Sequence, residues 1–136
     1  MSPSGVAARW AGCAPELRSV LRIIAALLFI TFGTMKLFNV PSGMPGGTTV
    51  TLASELGLAA TLELVGGTLM LIGLFSRPVA FVLSGEMAVA YFQGHFPHGF
   101  WPVQNQGTPA VLYCFVWLYF SAAGPGPWSI DALRRE

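Results

Sequence analysis

Residues 52–74 read LASELGLAATLELVGGTLMLIGL, an apolar run that carries a carboxylate, Glu63, near its middle. At about 1.5 Å per residue a helix of this length reaches about 34 Å, enough for the ~30 Å hydrocarbon core of a bilayer with some tilt. Glu63 then falls near the midplane, where an ionised acid costs roughly 2.5 to 3.5 kcal/mol even on the mildest scale. Such a group faces other protein, so the run predicts a helix packed through its acid-bearing side. Ala59, Gly66 and Gly73 recur at seven-residue intervals and share a helical face with Glu63, and Gly67 widens that surface. Small residues let membrane helices approach closely.

The composition agrees. Of 136 residues, 54% are hydrophobic and 10% charged, whereas about a quarter are charged in an ordinary soluble domain. The chain reads as an integral membrane protein with the lipid bilayer as its surroundings. Its net charge of +1 gives no indication of a nucleic-acid partner. Cys13 and Cys114 support neither a disulfide framework nor a CxxC motif.

Working outward, residues 1–17 are rich in Ser, Pro, Gly and Ala and predict a flexible cytoplasmic tail. Arg18 and Arg22 precede a first helix at about 19–38. A basic start of this kind resembles a signal peptide, but no Ala-x-Ala site follows and Lys36 leads on to further apolar runs. Two prolines and three glycines mark residues 39–51 as a connection. The second helix, 52–74, meets a third at about 78–93 through Ser76-Arg77-Pro78. Residues 94–107 have loop character, and a fourth helix, 108–123, stops at Gly124-Pro125-Gly126-Pro127. Residues 129–136 form a short cytoplasmic tail.

Arg9, Arg18, Arg22, Arg77, Arg134 and Arg135 fall on one side of this topology and Lys36 toward the other, which places both termini in the cytoplasm. The predicted fold is all-α: a polytopic, antiparallel four-transmembrane-helix bundle over residues 18–128. Trp101, Trp117 and Trp128 serve either interfacial anchoring or helix packing.

The buried polar residues carry the chemistry. Glu86 lies about 13 Å from Arg77 and Glu63 about 16 Å from Leu74 at the helix rise, so the two acids reach similar depth on successive helices. Ionising both in a low dielectric is penalised by desolvation and by like charge. Lys36 is about 21 Å from Arg22 and can snorkel outward or reach inward to Glu63, Glu86 or Glu55. One ammonium cannot neutralise three acids, which suits a proton-handling or ligand-binding site. At the outer mouth Gln93, His95, His98, Trp101 and Asn105 suit a quinone-like ring, although interfacial anchoring explains the same residues more simply. Two histidines without further ligands do not make a metal site.

Gly33-Thr34-Met35-Lys36, Glu63-Leu64-Val65-Gly66-Gly67, Glu86-Met87-Ala88-Val89-Ala90, His98-Gly99-Phe100-Trp101-Pro102 with Asn105-Gln106-Gly107, and Gly124-Pro125-Gly126-Pro127-Trp128-Ser129-Ile130-Asp131 follow in an order and spacing that resemble the DoxX family of small bacterial and archaeal membrane proteins. The resemblance spans about residues 18–135 and implies a four-helix bundle in a prokaryotic inner membrane, with weight on Lys36, Glu63 and Glu86. It also implies association with soluble redox or sulfur-metabolism enzymes, since relatives have been linked to quinone-dependent sulfur oxidation and to membrane recruitment of oxidative-stress enzymes. Many relatives have a glutamate immediately after the Asn-x-Gly of the last loop, where this chain has Thr108-Pro109.

Two classes of function follow. One is a redox-associated membrane subunit whose Lys/Glu pocket binds a quinone or relays protons. The other is a non-catalytic scaffold that recruits soluble enzymes, with a small-molecule transporter acting as a homo-oligomer as a third reading. The sequence contains no haem pair, flavin fingerprint or iron–sulfur cysteine set, which counts against an autonomous oxidoreductase and against a covalently bound cofactor.

Overall fold

A computed structural model describes residues 5–44 and 49–135; residues 1–4 of the expected tail, 45–48 of the first connection and 136 lie outside the described residues. Among these the fold is all-helical: α1 (Val6–Ala11), α2 (Ala14–Phe38), α3 (Glu55–Ile72), α4 (Ser76–Ala90), α5 (Pro102–Asn105), α6 (Thr108–Ala123) and α7 (Ile130–Arg134). The N-terminal segment, expected to be an irregular tail, is helical in α1, and α2 begins at Ala14. Pro15 in the first turn of α2 needs no N–H partner there, and Glu16 complements the helix dipole. At its other end α2 stops at Asn39, whose left-handed φ of 56° is one that asparagine tolerates.

The second helix starts three residues later than the apolar run, because Ser54 caps it by accepting from Gly57 N at 3.0 Å. It ends at Gly73, which has a left-handed φ of 72°. Gly73 is therefore the helix stop as well as a close-packed position, where a Cβ would collide with Ser129 and stand 3.2 Å from Cζ of Arg22. The buried face is Gly57, Ala60, Glu63, Gly66, Gly67 and Met70, with Ala59 only half-buried. α4 begins at Ser76, ahead of Pro78, and runs on through a π turn (Tyr91–His95) and a 3-10 turn (Phe96–His98). Much of the expected 94–107 loop is thus helical.

α2 packs along α3, α4 along α6, and α3 meets α4. Neighbouring glycines serve different partners: a Cβ on Gly67 would stand 2.7 Å from Ile30 of α2, and one on Gly66 2.7 Å from Leu83 of α4. At Gly33 the α2 backbone approaches so closely that a Cβ would stand 2.8 Å from the Ala60 carbonyl oxygen of α3. Phe29, Trp117, Met70 and Phe120 centre the core, with Phe29 meeting Trp117 edge-on at 5.3 Å. Trp117 is therefore a packing residue, whereas Trp101 and Trp128 are exposed. Leu28, Val65, Phe81 and Phe115 point outward, an apolar exterior suited to lipid.

The arginine-rich end is closed by residues 124–134. Arg22 is buried and donates to the carbonyls of Pro125, of Trp128 at 2.7 Å and of Leu71 at 3.4 Å. Ser19 Oγ donates to the Pro125 carbonyl and accepts from Trp128 N. Asp131 accepts from Phe75 N at 2.9 Å and Ser76 N at 2.8 Å, capping α4 from 55 residues away. Burial alone would raise the Asp131 carboxyl, but the bonds from Ser76 and Phe75 and the charge of Arg134 outweigh it and hold the group below the usual carboxylate range.

Candidate functional site

Three helices bring the polar cluster together. Lys36 lies in the last turn of α2, Glu63 on the buried face of α3, and Glu86 in the second half of α4. Lys36 Nζ stands 2.6 Å from Glu63 Oε1, with side-chain exposures of 17% and 1%. The ammonium thus reaches inward. The Glu86 carboxyl comes up beside that of Glu63. With both acids ionised, Glu63 Oε2 and both Glu86 oxygens are enclosed with no donor. One ammonium and two neighbouring carboxyls leave a surplus acid, and an unbalanced buried charge is strongly unfavourable. The cluster is accordingly a place where a proton or a hydrogen-bonding ligand would be held.

Glu55 is not part of it. It opens α3 at an exposed position, where it complements the helix dipole, and among the described residues Lys36 pairs with Glu63 alone. None of the three cavities described for the chain is lined by Lys36, Glu63 or Glu86; one is an apolar groove of about 240 Å³ between α3 and α4.

The outer-mouth residues divide into two sets. Asn105 is buried and clamps the loop, donating to Gly99 O at 2.8 Å and Tyr91 OH at 3.3 Å while its Oδ1 accepts from Gly107 N at 2.8 Å. His95 Nδ1 lies 3.0 Å from the Asn105 carbonyl, and its ring stacks near that of Tyr91. Gln93, His98 and Trp101 are exposed, Trp101 meeting Phe100 edge-on at 5.2 Å. The Tyr91 hydroxyl donates to Phe100 O at 2.6 Å and ties the π turn to the loop. Thr108 is exposed at the start of α6.

An apolar exterior, two helices long and apolar enough to cross a bilayer, and an ion pair enclosed between helices define a helical membrane protein. The chain belongs to the DoxX family, whose model matches residues 17–96, a span that includes Lys36, Glu63 and Glu86. It is similar to an uncharacterized protein of Haemophilus influenzae, 40% identical over 120 residues that cover 86% of this chain and 90% of the relative. No solved structure matches it.

Proposed function

We propose that the chain is a multi-pass subunit of a prokaryotic inner membrane, with four crossings and both termini cytoplasmic, that works beside a redox complex. In this reading the Lys36, Glu63 and Glu86 cluster hydrogen-bonds a quinone-like headgroup and exchanges a proton with it. The observation that carries the reading is the 2.6 Å pair of Lys36 with Glu63 and the second carboxyl of Glu86 against it. A carbonyl oxygen entering between the acids would accept a hydrogen bond from a protonated carboxyl, take that proton as the ring is reduced, and give it back to the carboxylate when the reduced ring is oxidised again. The electrons come from a partner. The redox association itself rests on what the family resemblance implies, and the orientation on the shared end of Arg18, Arg77, Arg134 and Arg135.

Native co-purification tests this. Protein isolated in mild detergent with its own lipids is extracted for lipophilic ligands, and bound proteins are identified. Quinone retained by the wild type and reduced in Glu63→Gln and Glu86→Gln supports the reading; quinone absent throughout, with no redox protein bound, sinks it.

A scaffold reading draws on another aspect of the same ion pair, that it ties α2 to α3 and so fixes their register. Under it the glutamine variants alter stability or assembly and have no ligand to lose.

A further inference from the structure

At the arginine-rich end two cavities, of about 410 and 320 Å³, lie against each other and share Arg77, Pro125, Asp131 and Arg135. The larger adds Arg18 from α2 and the smaller Arg134 from α7. The combined cleft has the size of small-ligand sites and is lined by four guanidinium groups from three segments of the chain. Among the described residues none of these four pairs with a carboxylate within 4.0 Å. Asp131 is the acid in the lining, and both its oxygens already accept from the α4 backbone.

The cleft is built as well as charged. Arg77 Nη1 donates to Ala122 O at 2.5 Å, which satisfies a carbonyl of the last turn of α6. Its guanidinium lies over Gly124, where a Cβ would stand 3.0 Å from Nη2, and Gly124 has a φ of +80°. Arg134 is held 4.9 Å over the Phe75 ring. Arg18 Nε is enclosed and has no partner. The Pro125 carbonyl, the acceptor nearest in chemistry to a competitor, is already occupied by Arg22 and Ser19.

We propose that this cleft binds a phosphate-bearing anion at the membrane surface, with Arg18, Arg77 and Arg135 donating to the phosphate oxygens. Guanidinium forks match phosphate geometry, and a basic pocket between helix ends sits at headgroup depth. The phosphate belongs to a lipid headgroup or to a free phosphorylated solute. The site is separate from the Lys36 cluster and does not depend on quinone binding.

The test uses full-length protein in neutral detergent, titrated with short-chain phosphatidylglycerol, short-chain phosphatidylcholine and inorganic phosphate. The wild type binds the anionic probe over phosphatidylcholine, with a preference that shrinks as salt rises. Arg18→Gln and Arg135→Gln each weaken it about fivefold, the typical worth of one basic group near an anionic surface. Arg9→Gln, which removes the same charge from α1 outside both cavities, leaves it unchanged. Phosphate that binds without phosphatidylglycerol assigns the site to a free anion; phosphatidylglycerol that phosphate does not displace assigns it to a lipid. The proposal is overturned if the wild type shows no preference over phosphatidylcholine, or if Arg9→Gln weakens binding as much as Arg18→Gln.

Discussion

Lys36 Nζ stands 2.6 Å from Glu63 Oε1, joining the last turn of α2 to the middle of α3 across an interface where Gly33 meets Ala60 and Gly67 meets Ile30. Removing one partner leaves a buried charge alone. Lys36→Met is therefore expected to destabilise the fold by roughly 3 to 5 kcal/mol, while Lys36→Met combined with Glu63→Leu recovers most of the loss. A double-mutant cycle of unfolding in detergent reads this directly, and additive effects of the two changes would show that the pair does not act as a unit.

Glu86 separates into two predictions by shape and by polarity. Glutamine keeps a donor beside Glu63 and should stay within about 1 kcal/mol of the wild type. Glu86→Leu offers Glu63 none and should cost about 1 to 3 kcal/mol. Equal melting temperatures for the two variants would mean that the carboxyls do not interact.

The close approaches differ in how far they can yield. Gly33→Ala presses on the backbone oxygen of Ala60, whereas Gly66→Ala and Gly67→Ala press on the side chains of Leu83 and Ile30. We expect Gly33→Ala to be the costliest of the three, at about 1 to 3 kcal/mol. Thermal unfolding of the set in one detergent gives the order; a milder effect at Gly33 than at Gly67 would contradict the backbone contact.

Asp131 makes stability depend on acid. Its folded carboxyl holds a proton less tightly than the unfolded one, so the unfolded state binds more protons across that window and stability rises with pH there. The contribution is complete above the ordinary Asp value and is lost as pH falls through the lower folded value. Asp131→Asn should melt below the wild type at neutral pH, with the gap closing on acidification. A gap that stays constant into acid would remove the charge from the explanation.

Much of this was legible in the chain. An acid inside an apolar run had to face protein, and similar depth put Glu63 and Glu86 on a course to meet. Which acid Lys36 would take was not legible, because the position of a Cα does not fix where a long stem carries its ammonium. That Gly73 also ends α3 was not legible, because a glycine that ends a helix and one that packs a helix are the same letter, and φ marks the first. Gly66 and Gly67 read as one surface, yet adjacent residues on a helix are about 100° apart and here meet different helices. The Asp131 cap and the buried Arg22 depend on contacts between residues 49 to 106 positions apart, for which no local pattern exists.

The central claim, that the cluster of Lys36, Glu63 and Glu86 takes a quinone-like headgroup, is tested most directly by equilibrium binding of a short-chain quinone to the protein in nanodiscs. The account predicts saturable binding by the wild type, and a loss of about tenfold or more in Glu86→Leu, which offers the carbonyl no polar atom. Saturable binding that is the same in the wild type and Glu86→Leu, or none by the wild type, would contradict it.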